Sequence, residues 1–268
     1  MLCSSASAQA VKSSRATLLN CSLVCRWMHT TSMRVLFSVL YLSSIQEVRL
    51  LADKAQECER VSNWLRTATH TVHVTVMRRF ALGFASFLPM MKKLIIDWGN
   101  TPAARFWPMQ YAKYDFLACF RTVVTLELWG VRFSTIAQFQ SLVDCFPSLQ
   151  DFRMYHCSLR ASTMSIAQKM PSPPLTSFTN LVSHQSMGKH MNALYLWLAH
   201  ILSNTESIRY MSLQYPWVDS QPDGHGLEVL LGTLGPLLTD LELNMHPRDY
   251  RTSGESFVHR TSVNCDIN

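Results

Sequence analysis

Histidine and cysteine are the residues of this chain best suited to chemistry, ten and eight of them respectively, but their spacing keeps them apart. The cysteines stand singly at 3, 21, 25, 58, 119, 145, 157 and 265. There is no C-x-x-C pair to begin a zinc site or a redox couple. His70 and His73 sit three apart on an expected strand, where side chains alternate between faces, so they cannot share one ion. His156 and Cys157 are adjacent and opposed for the same reason. Cys21 and Cys25 fall at helical spacing, but two further ligands are missing nearby, so a buried helix face is the expectation. Gly226, Gly232 and Gly235 lack the spacing of a phosphate-binding loop, and no G-x-S-x-G elbow occurs. No catalytic residue, cofactor or metal is therefore expected, and the protein reads as a non-enzyme.

Recognition chemistry remains, and a repeated pattern positions it. Apolar-x-x-apolar-x-apolar occurs at Met91-Leu94-Ile96, Val123-Leu126-Leu128, Leu149-Phe152-Met154, Ile208-Met211-Leu213 and Leu238-Leu241-Leu243, with a weak copy at Leu175-Phe178. The third copy continues through Cys157 and Leu159 and resembles the leucine-rich-repeat signature L-x-x-L-x-L-x-x-C-x-L. Between copies, Phe133, Ile136, Phe139, Leu142, Val143 and Phe146 recur every three or four residues, the apolar stripe of a helix ended by Pro147. Strand and helix alternate, and one such pair cannot seal its own core. Stacking is expected, giving an α/β leucine-rich-repeat-like solenoid. Equivalent positions lie 32, 26, 26, 33 and 30 residues apart, so the horseshoe should be irregular. Leu126 and Leu128 would point inward. The outward set would be Lys93, Asp97, Glu127, Trp129, Asp151, Arg153, Tyr155, Tyr210, Asp240 and Glu242, along with Ile95, Thr125, Ser212, Gln214 and Asn244. Trp, Tyr and Arg together on one face suit a protein partner. Residues 206–242 hold six Asp/Glu against Arg209 alone, which would favour a basic partner segment at that end.

Bulk composition bounds these readings. The chain has 268 residues, 48% hydrophobic and 16% charged, enough for a sizeable core and too apolar for general disorder. Its net charge of +6 is uneven: residues 1–100 carry 12 Lys/Arg against 5 Asp/Glu, and residues 101–268 carry 12 against 13. The basic charges are scattered and no nucleic-acid-binding motif accompanies them, which argues against nucleic acid as a partner. The longest apolar runs, Met33 to Ile45 and Met191 to Leu202, fall short of the ~20 residues that span a bilayer. Single cysteines point to a reducing compartment, cytoplasm or nucleus. A Ser/Thr-rich start with no acidic residue before Glu47 also suits a mitochondrial transit peptide, the alternative location.

From Ala16 the chain runs Thr-Leu-Leu-Asn-Cys-Ser-Leu-Val-Cys-Arg-Trp-Met, an apolar helical stripe followed by a short basic helix and a strand at 38–42. Leu18, Cys21, Ser22, Leu23, Val24, Cys25, Arg26, Leu36 and Phe37 fall at the spacings of L-x-x-C-S-L-V-C-R-x-W and the L-F that follows. The string resembles the second half of an F-box, as in the F-box/leucine-rich-repeat-like families of mushroom-forming fungi. The phrase FSTIAQFQSLVDCFPSLQDF resembles their repeats as well. Trp27 comes one place early, and the opening L-P-x-E segment has no counterpart here; a truncated start would account for both that and the Ser/Ala leader. The resemblance implies a substrate-recognition subunit of a cullin-RING ubiquitin ligase, with Leu18, Leu23, Val24 and Trp27 facing a Skp-type adaptor and the repeats gripping a target protein. Without the adaptor link, the chain would be a stand-alone binding protein.

The expected organisation is a disordered leader at 1–14, an F-box-like helical remnant at 15–42, a repeat array at 43–246 and a flexible tail at 247–268. Pro171-Ser172-Pro173-Pro174 and the stretch 214–226 should be linkers.

Overall fold

A computed structural model describes residues 3–75, 77–97, 114–159, 178–184, 191–203, 207–216, 225–246 and 260–263. The Pro171–Pro174 linker, Leu175 of the weak repeat, most of the 214–226 stretch and residues 247–259 and 264–268 lie outside these. The chain divides into two compact units, Met1–Leu94 and Ile95–Asn268.

In the first unit, α1 (Cys3–Ser22) and α2 (Arg26–Ser38) precede β1 (Val39–Leu42). The helix expected to continue through Met28 breaks at Leu23–Cys25. Cys25 adopts extended backbone there, and its Sγ accepts the Met28 N–H, opening α2. Trp64 of α4 (Glu59–Ala68) packs against His29 and Phe37 of α2, with ring centroids 5.7 and 5.5 Å apart. Between β1 and α4 lies α3 (Ile45–Glu57), which the apolar periodicity does not announce. Its start is a capping box: the Ser44 hydroxyl accepts the Glu47 N–H, and the Glu47 carboxylate accepts the N–H groups of Ser43 and Ser44. β2 (Thr71–Val74) pairs in parallel with β1, placing Tyr41 opposite His73. After α5 (Met77–Phe84), β3 (Lys93–Asp97) begins against β2, its Lys93 N–H donating to the His70 carbonyl.

In the second unit the strands β4 (Thr125–Trp129), β6 (Asp151–Tyr155), β8 (Asn180–His184), β9 (Tyr210–Pro216) and β10 (Asp240–His246) pair in parallel, and β11 (Arg260–Val263) closes that edge antiparallel to β10. Helices α6 (Ile136–Val143), α7 (Met191–Leu202) and α8 (His225–Leu234) fall between strands. A small parallel pair, β5 (Arg132–Phe133) and β7 (Ser158–Leu159), follows β4 and β6. The chain turns there through left-handed backbone at Gly130 (φ 65°) and His156 (φ 54°). Phe139 centres the core beneath, edge-on to Phe133, Phe152 and Trp197 at 5.2, 5.4 and 5.0 Å.

This arrangement overturns the expected leucine-rich-repeat-like solenoid. The protein is an α/β fold built on a mostly parallel sheet flanked by helices. In a solenoid of the expected kind the strands bury one face and leave the other open. Here the middle residues of several strands are buried on both sides: Leu126 and Leu128 on one, Glu127 at 8% exposure on the other, with Ser212 at 1% between Met211 and Leu213. Strands covered on both faces are the habit of parallel α/β sheets. The apolar pattern marks the buried side chains of the earlier copies, but Leu241 and Leu243 are only half-buried and Ile95, expected outward, is 5% exposed. Period-two burial is in any case common to both architectures and does not choose between them. One register also differs. The residue level with Phe152 and Met211 is Leu181, not Phe178, so equivalent positions from Leu126 onward stand 26, 29, 30 and 30 residues apart.

Candidate functional site

The parallel register brings the polar residues of the second unit's strands into three rows on one face. Thr125, Asp151, Asn180, Tyr210 and Asp240 form the first row, and Glu127, Arg153, Val182, Ser212 and Glu242 the second. Trp129, Tyr155 and His184 begin the third. The alternation that buries Leu126 and Leu128 necessarily turns Thr125, Glu127 and Trp129 the other way.

Neutral donors hold the carboxylates of this face. Trp129 Nε1 donates to Glu127 Oε1 at 2.7 Å. Thr125 Oγ1 donates to Asp151 Oδ2 at 3.3 Å, and Asn180 Nδ2 donates to the other Asp151 oxygen. The Tyr210 hydroxyl and Ser212 Oγ both donate to Glu242 Oε2, at 2.9 and 3.1 Å. Trp129 and Tyr155 stack on each other with centroids 4.1 Å apart and planes 18° from parallel, so each ring shields one face of its neighbour. Burial first, and the Glu127 carboxylate second, raise the Tyr155 hydroxyl above its usual pKa, while Arg153 opposes them. Burial is also the leading cause of the upward shift at Tyr210. Arg153 carries a positive charge among these rows; it hydrogen-bonds the Tyr155 side chain, while its Nε is enclosed without a hydrogen-bond partner among the described residues. What this geometry offers is oriented negative charge beside a flat aromatic pair, not a nucleophile with its base.

Of the ten residues expected on the sheet face, Glu127, Trp129, Asp151, Arg153, Tyr155, Tyr210, Asp240 and Glu242 thus share one surface of the second unit. Asp240 is exposed at its edge, and the others range from buried to half-buried. Lys93 and Asp97 occupy the two ends of β3 and are half-buried. Asn180 is the participant that the sequence reading passes over, because the misplaced register put it where an apolar residue should be.

The residues expected to face an adaptor behave differently. Leu23, Val24 and Trp27, at the break between α1 and α2, expose 84%, 70% and 72% of their surface. Leu18 is half-buried, on the wall of a cleft against α2 and β1. Three large apolar side chains within five residues are thus the most exposed large hydrophobics among the described residues.

The other titratable groups stand apart. His70 sits at the end of the connection into β2, its Nδ1 3.4 Å from the Met90 carbonyl, and His73 stacks on Tyr41. Cys145 and Cys157 are buried, with burial pushing the Cys157 thiol up to about 12, whereas Cys25 and Cys119 are exposed. Among the described residues no group of three or more His, Cys, Asp or Glu could hold a metal, and no helix is long and apolar enough to cross a membrane. No protein-family model matches the chain, and no curated protein matches it.

Proposed function

We propose that this protein is a non-enzymatic interaction subunit, docking onto one protein through the α1–α2 break and receiving a second at the accessible edge of the sheet's polar face, where Asp240 is exposed and Tyr210 and Glu242 are half-buried. The observation that carries this reading is the exposure of Leu23, Val24 and Trp27. Leaving them in water forgoes roughly 1.5–3 kcal/mol each relative to burial, and a partner's groove would recover it. The same residues lie in the string that resembles an F-box, which supports a Skp-type adaptor of a cullin-RING ligase as the first partner and a cytoplasmic or nuclear location. On the sheet, Glu127, Asp151, Asp240 and Glu242 outnumber Arg153, which supports a target segment rich in Lys or Arg.

Co-precipitation of the full chain with purified Skp-type adaptor tests the first contact. Capture is expected for the native chain and should fall at least about tenfold for a Leu23→Asp, Trp27→Ala double variant, since exposed anchors commonly cost 2 kcal/mol or more each when lost. Failure of the native chain to capture the adaptor would reject the ligase assignment. The stand-alone alternative would then require a target that still binds the sheet and is lost on Trp129→Ala.

A further inference from the structure

We propose that a cleft in the first unit, between α1, α2 and β1, binds a small amphipathic monocarboxylate, its aliphatic part between the helices and its carboxylate on Arg15. The cleft measures about 230 Å³. It is lined by Leu18, Val35, Leu36 and Val39, which are aliphatic, and by Ser14, Arg15 and Tyr41, which are polar. Val35 and Tyr41 leave 50% and 39% of their surface in water, so an apolar guest would cover surface that the fold leaves wet.

Among the described residues the cation rests on a ring and pairs with no acid. The Arg15 guanidinium lies over the Tyr41 ring, 5.4 Å from its centroid. That ring is itself stacked on His73 across the β1–β2 pair, at 4.3 Å and 19°. No Asp or Glu occurs before Glu47, while Lys12, Arg15, Arg26 and Arg34 all do. An ion pair, Lys54–Glu57, lies well along the chain in α3 and does not involve Arg15. Resting on an aromatic face leaves the N–H edges of a guanidinium available, and its planar fork matches a carboxylate in a bidentate pair. A space of this size suits a guest on the order of eight to ten heavy atoms, smaller than the occupants of drug-sized pockets. One guanidinium neutralises a single negative charge, which favours a monocarboxylate over a phosphate dianion. Of the four residues expected to face an adaptor, Leu18 also lines this cleft, but Arg15 and Val35 are not among them, so variants at those two positions test this site separately from the docking reading.

Calorimetric titration of the full chain with octanoate, 1-octanol and octylamine tests the site. Saturable binding of octanoate is expected, with octylamine at least about tenfold weaker because it would bring a second cation to Arg15. Arg15→Gln should weaken octanoate about tenfold while changing 1-octanol less than about twofold. Val35→Trp should fill the cleft and abolish binding of both; Val35→Gln, which leaves the helix surface intact, serves if the larger side chain disturbs folding and should weaken both. Absence of saturable octanoate binding, equal affinity for octanoate and octylamine, or an Arg15→Gln variant that binds octanoate as the native chain does would each overturn the proposal.

Discussion

Single residues show most plainly where burial and polarity conflict. Ser183 of β8 is 1% exposed, level with Met154 and Leu213, and its hydroxyl has no hydrogen-bond partner among the described residues. An unsatisfied buried hydroxyl costs about 1–3 kcal/mol, so Ser183→Ala is expected to stabilise the fold by about 1 kcal/mol, measured as a shift of the urea midpoint with unchanged slope. Asp144 is a second case. It caps the C-terminal end of α6, where the helix dipole disfavours negative charge, and burial of its carboxyl raises its pKa to about 6. A carboxylate whose native pKa lies above its unfolded value makes the fold bind protons more tightly. Stability is then lost as pH rises from about 4 through 6. Melting temperatures across that range should decline less for Asp144→Asn than for the native chain. The residue is only partly covered and counts as exposed, so water screens the effect and it should be modest.

Elements were unequally legible. α6 is legible in its apolar stripe, whereas its N-cap, Thr135, whose hydroxyl accepts the Gln138 N–H, comes from the structure alone. α3 is not legible in the same way, although Ser44-x-x-Glu47 is a capping-box spacing, because its buried positions Val48, Ala52 and Ala55 are mostly alanine while the larger Ile45 and Leu50 are exposed. The turn after β4 was invisible as a left-handed position until Gly130 and His156 were seen at equivalent places in β4–β5 and β6–β7. A β-branched residue resists that backbone, so Gly130→Val should destabilise by about 1–2 kcal/mol or more, while His156→Gly should be near neutral. Chemical denaturation of the two variants checks the pair. Equal losses from both would mean that the turn imposes no left-handed requirement.

For the whole molecule, charge is the property with functional reach. The chain carries +6, yet the strand face of the second unit holds four carboxylates against Arg153. Binding of a basic partner there should weaken as salt rises from ~0.05 to ~0.5 M, because the Debye length shortens several-fold. Asp240→Asn with Glu242→Gln should flatten that dependence. A salt profile identical to that of the native chain would exclude this face as the contact.

Which side chains turn inward was readable before any coordinates. Leu126, Leu128, Phe152, Met154, Met211 and Leu213 are all buried, because alternation along a strand is a property of neighbouring residues and needs no distant partner. Whether the opposite face stays open is another matter. The burial of Glu127 and Ser212, the alignment of Leu181 with Phe152, and the seating of Arg15 on Tyr41 all depend on segments tens of residues away. Local periodicity carries no information about such long-range packing, so a pattern shared by solenoids and flanked parallel sheets could be resolved only once the strands were laid side by side.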